Sequence, residues 1–152
     1  MLCIGKVDSV CYRWMGGDIM SEEQILLRKS YTDYEISVKN IFEYKDTDDI
    51  SAIDIALFFM VQAIEKCLIS YLLHCNVAFK RKYAINYLLM KCPEHLDYIP
   101  SIYCYSTEID LWETSARYNL YELEDINLYY AVVMNYCKLY NFVAYSVLVM
   151  IK

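Results

Sequence analysis

Apolar side chains recur along this chain at three- and four-residue steps, with few interruptions. The clearest run is Ile53, Ala56, Leu57, Met60, Ala63, Ile64, Cys67, Leu68 and Tyr71, which lays one broad apolar face along a helix reaching about Cys75. Asp54, Gln62, Glu65 and Lys66 lie within that run. A charge at a bilayer centre costs roughly 2.5–3.5 kcal/mol, so the stretch reads as the central helix of a bundle, not as a membrane span. Upstream, Leu27, Tyr31, Tyr34, Val38 and Ile41 predict a first helix from Ser21 to about Tyr44. Ser21-Glu22-Glu23-Gln24 is a capping-box sequence, and its acidic first turn suits the helix dipole. Asp46, Thr47, Asp48 and Asp49 supply the turn and the next cap.

Asn76 is the expected stop of the central helix. Tyr83, Ile85, Leu88 and Leu89 predict a short third helix that ends before Pro93. Pro100 suits the first turn of a fourth, with Ile102, Tyr105, Ile109, Trp112 and Ala116 as its stripe. Ile126, Tyr130, Val133, Cys137, Tyr140, Ala144, Val147 and Ile151 alternate fours and threes, a heptad-like seam for a fifth helix. That seam can face the central helix, a second copy of the chain, or both. The predicted class is therefore all-α, an up-and-down bundle of about five helices.

Residues 1–20 follow neither the helical nor the strand period, and no sustained apolar core follows Lys6, so they do not read as a signal peptide. They are taken as an irregular extension before a single domain over residues 21–152. Codons for Gly16-Gly17-Asp18 can spell a purine-rich ribosome-binding sequence, so Met20 is the expected translation start and Met1 the alternative. Composition sharpens the helical reading: 152 residues fit one domain, and only three Gly and two Pro break the chain. Seventeen Tyr favour helix interfaces that are apolar in the body and polar at the tip. A net charge of −6 argues against bulk electrostatic binding of nucleic acid. Seven Cys without a CxxC pair read as reduced, buried thiols of a cytoplasmic protein.

Little of the candidate chemistry survives inspection. His74, Cys75, Cys92 and His95 include zinc-ligand types, but adjacent His74 and Cys75 point apart on a helix, so no metal site is assigned. A Gly-rich phosphate loop is excluded, since the three Gly stand at 5, 16 and 17. Lys80, Arg81 and Lys82 could meet a phosphate, although such a run is more often a solvated helix end.

Phe59, Gln62, Ala63, Glu65 and Lys66, within FFMVQAIEKCLISYLL, resemble the second helix of HEPN domains, which carry an aromatic residue followed by Gln-Ala-x-Glu-Lys. Cys67 stands where that family has a small residue, and its second lysine is replaced by Ile69 or Ser70. Thr114-Ser115-Ala116-Arg117-Tyr118-Asn119 is similar to the family's (Thr/Ala)-Arg-Tyr-Pro segment, with Asn119 for Pro, and the His that often opens the family's third helix is missing from RKYAINYLL. The similar segments span roughly Ser21 to Ile151.

The resemblance implies a HEPN-like helical bundle. HEPN ribonucleases use an Arg followed, after a spacer of about four to six residues, by a His at a dimer interface. Neither His74 nor His95 has such an Arg, so no catalytic residue is assigned. What remains implied is a homodimeric, cofactor-free binding module that partners a small nucleotidyltransferase in a toxin–antitoxin or defence pair. Lys66, Arg117 and Tyr118 are its candidate nucleotide or phosphate contacts, with Gln62 and Glu65 as a polar cluster. The competing reading of these residues is structural, with Glu65 and its neighbours paired to satisfy buried polarity. The competing function is a divergent RNA-cleaving toxin that uses Arg117.

Overall fold

The computed structural model describes residues 20–80, 84–93, 100–116 and 123–149. Two long helices dominate: α1, Glu22–Thr47, and α2, Ile50–His74. The capping box forms as expected. The Gln24 amide donates to the Ser21 hydroxyl oxygen at 3.3 Å, and the Ser21 amide donates to the Gln24 side chain at 3.1 Å. The helix runs to Thr47, a turn further than the apolar stripe reaches. Asp48 then takes the left-handed conformation (φ 56°) and Asp49 caps α2, its carboxylate accepting from the Ser51 amide at 3.0 Å. At the far end Asn76, also left-handed (φ 56°), turns the chain away.

Four shorter or later helices close the bundle: α3, Ile85–Lys91; α4, Pro100–Cys104; α5, Ser106–Ala116; and α6, Leu123–Ala144, which widens into a π-helical turn over Tyr145–Val149. The fold is an all-α bundle, as the pattern predicts, with six α-helices among the described residues instead of five. The predicted fourth helix breaks at Tyr105. The Tyr105 carbonyl accepts the Ile109 amide at 2.8 Å and starts a fresh helix, and Tyr105 itself is 47% exposed instead of lying in the stripe. Ile102, Ile109 and Trp112 of that stripe are buried.

Every residue of the α2 stripe is buried, but so are Ala52, Val61, Ile69, Ser70 and Leu72. The helix is thus wrapped on most of its circumference, against α1, α3, α5 and α6. Helix α3 is too short to hold itself together and has no side-chain cap of its own. Asp110 of α5 provides one from outside, accepting from the Ile85 amide at 2.8 Å and the Asn86 amide at 3.5 Å.

Candidate functional site

The polar residues of α2 and what they meet on α1 form the place to test for a site. Ser30 and Ser37 of α1 are fully buried. The Ser30 hydroxyl donates to the Ala63 carbonyl at 2.5 Å and lies 2.7 Å from the Tyr136 hydroxyl. Seven residues on, the Ser37 hydroxyl donates to the Ala56 carbonyl at 2.5 Å and lies 2.9 Å from the Tyr129 hydroxyl. A serine has one proton to give, so in both places the tyrosine donates and the serine accepts. A third rung has its serine on α2: Ser70 donates to the Glu23 carbonyl at 2.7 Å.

The register is regular. Residues 23, 30 and 37 ascend α1 while 70, 63 and 56 descend α2, and 136 and 129 descend α6. Helices α1 and α2 are therefore antiparallel, and α6 runs parallel to α2. The side chains at the rungs between α1 and α2 are small (Ser30, Ser37, Ala56, Ala63, Ser70), which lets the two backbones run close along their length. Helix α6 stands off α1, the space between them filled by rings. Tyr34 stacks on Tyr136 at 5.2 Å between centroids, and Tyr31 meets Tyr140 at 5.8 Å. Burial pushes the phenols of Tyr34, Tyr129 and Tyr136 and the Cys67 thiol well above their ordinary range, and the thiols of Cys137 and Cys92 up to about 11 and about 12. These groups stay neutral near neutral pH and are poor nucleophiles there.

Lys66 lies on the other side of the α1–α2 contact, where its ammonium forms an ion pair with the Asp33 carboxylate. The Lys66 side chain is 27% exposed and that of Asp33 11%. The structure thus gives Lys66 a partner that the sequence did not single out. Gln62 and Glu65 are half-buried on the same helix. Arg117 and Tyr118, the other two candidate contacts, lie outside the described residues, as do Arg81, Lys82, His95, Asn119, Ile151 and residues 1–19. Among the described residues no group of three or more His, Cys, Asp or Glu could hold a metal ion, and no helix is long and apolar enough to cross a membrane. One buried polar atom stands out. The Tyr130 hydroxyl has no hydrogen-bond partner among the described residues, while the Lys45 ammonium sits 5.5 Å above its ring.

Sequence reasoning missed Ser30, Asp33 and Ser37. The available signal was the shared interval of seven, in Ser30/Ser37, Ala56/Ala63/Ser70 and Tyr129/Tyr136. Compared with known proteins, the chain matches no protein-family model, no curated protein and no solved structure.

Proposed function

We propose that this chain is a non-catalytic, HEPN-like helical binding module that acts as a homodimer in the cytoplasm and partners a small nucleotidyltransferase in a toxin–antitoxin or defence pair. The observation that carries this reading is the use to which the polar centre of α2 is put. Lys66 is neutralised by Asp33, and the buried serine hydroxyls flanking that pair hold helices together. A phosphate or nucleotide arriving at Lys66 must displace a carboxylate, so Arg117 and Tyr118 are the residues on which anion binding rests.

The test is affinity capture of the tagged chain from its native host, with protein and nucleic acid both identified. A stoichiometric nucleotidyltransferase is the expected result. Co-purified RNA with cleavage products that vanish in an Arg117→Ala variant overturns it and makes the chain a nuclease.

A further inference from the structure

The α1–α2 hairpin has two faces. One carries Tyr34, Met60, Ile64 and Cys67 into the core with α6. The other is defined by the Asp33–Lys66 pair. On α1, Lys29, Asp33, Ile36 and Asn40 step by fours and threes along it; on α2, Ile55, Phe58, Phe59, Gln62 and Lys66 do the same. Because Asp33 touches Lys66, the two stripes adjoin and make one surface across both helices.

Four large apolar side chains lie among the polar ones of this surface. Ile55 is 40% exposed, Ile36, Phe58 and Phe59 are half-buried, and all four stand outside the side chains packed on the core. Phe58 and Phe59 meet each other edge to face at 5.4 Å. Large apolar residues on the outer side of the most buried helix are what an interface requires, not what water favours.

We infer that this outer face of the hairpin is where a second copy of the chain docks, hairpin on hairpin, about a two-fold axis. The inference rests on the dimer in the reading above and names its surface. Three features select a second copy as the occupant. The first is area. Helices of about 25 residues are about 37 Å long, and two side by side offer a face of about 700 Å², close to the ~800 Å² per partner of a stable complex. The second is charge within the face. Asp33 and Lys66 already neutralise each other, so closing the interface strands neither of them. The third is charge around it. The chain is net acidic, and at the hairpin tip exposed Glu43, Asp46, Asp48 and Asp49 outnumber the exposed Lys45. Turning one copy end for end moves the two tips apart and brings exposed Lys29 of each copy toward the acidic tip of the other.

Sedimentation equilibrium of the full chain over a wide concentration range tests this. The expected mass is twice the 18.0 kDa protomer. An Ile55→Glu/Phe59→Glu variant should dissociate at least ~100-fold more readily, while Met134→Glu, on exposed α6 surface, should leave the dimer intact. Circular dichroism checks that each variant is folded, and Phe58→Ala/Phe59→Ala is the gentler pair should the charged one not fold. A photo-crosslinking residue in place of Gln62 should capture a second copy. A chain that is monomeric at every concentration overturns the inference, and so does a dimer that survives both double substitutions. Capture of the nucleotidyltransferase by the monomeric variant is scored separately, so loss of the dimer and loss of the binding-module reading are told apart.

Discussion

The inner and outer faces of the α1–α2 hairpin are built from the same two helices, yet they handle polarity in opposite ways. Inside, the polar groups are uncharged hydroxyls that are fully buried and satisfied in sets of serine, tyrosine and backbone carbonyl. Outside, the polar groups are a carboxylate and an ammonium that keep some access to water. The difference follows from desolvation. A hydroxyl with its hydrogen bonds made is tolerated in a dry core, whereas a charge is retained there only at a cost of several kcal/mol. The inner face is thus built to be permanently dry, and the outer one can stand wet or covered.

The largest expected effect comes from breaking the inner face outright. Tyr136 fills the space between α1 and α6, stacks on Tyr34 and ties off Ser30. Tyr136→Ala removes the ring and leaves a cavity, and should lower stability by about 3–5 kcal/mol, as for other buried aromatic truncations. Urea unfolding followed by circular dichroism measures it. A loss below that for a surface substitution would mean that α6 is not seated on the hairpin by this ring.

A smaller effect separates the hydroxyls from the packing. Ser37→Ala strands the buried Tyr129 hydroxyl and should cost about 1–2 kcal/mol. Tyr129→Phe leaves Ser37 bonded to the Ala56 carbonyl and should cost less, about 1 kcal/mol or under. With both changes no hydroxyl is left unpaired, so the double variant should be more stable than the sum of the singles predicts. Strict additivity would show that the 2.9 Å contact contributes no coupling.

These rungs also mark what the sequence did and did not disclose. The ends of α1 and α2 were legible because their signals are local: the capping box at Ser21, the cap at Asp49, the left-handed stop at Asn76. The apolar stripes of α2 and α6 were legible because helical periodicity is local too. The serine–tyrosine contacts join residues 92 and 106 positions apart, and a serine inside an apolar stripe reads as an interruption until its partner is known. The same holds for Lys66. Its motif marked it as a candidate contact, but its partner is 33 residues upstream on another helix. Helix α3 adds a further case, since its cap comes from Asp110 and no residue next to Ile85 announces it.

Alkali should loosen the core. Cys137 and Cys92 hold their protons in the folded chain up to about 11 and about 12, against 9.0 for a free thiol, and the buried phenols shift in the same direction. The folded state therefore binds more protons than the unfolded state above pH ~9, and stability falls as pH rises. Below that pH these groups leave stability unchanged. Each thiol should contribute a loss of about 1 kcal/mol per pH unit until its folded value is reached. Cys137→Ala should flatten the alkaline limb in proportion. An unchanged limb would place the titrating groups elsewhere.

The outer face gives the prediction that sharpens the comparison most. Lys66→Met removes the ammonium beside Asp33 and keeps most of the side-chain volume. Were this pair as dry as the inner rungs, the stranded carboxylate would cost about 3–5 kcal/mol. The stranded carboxylate is only 11% exposed, although the lysine kept 27%, so the expected loss lies between those of an exposed and a buried pair, about 1–2 kcal/mol. It should shrink further between ~0.1 and ~1 M salt, as the screening length falls from about 10 to about 3 Å. Those values apply to dilute protein, where the outer face is wet. On the inference that a second copy docks over the pair, the cost of Lys66→Met should grow with protein concentration and lose its salt dependence. Tyr136→Ala should show neither trend, because the inner face is dry in every state of assembly.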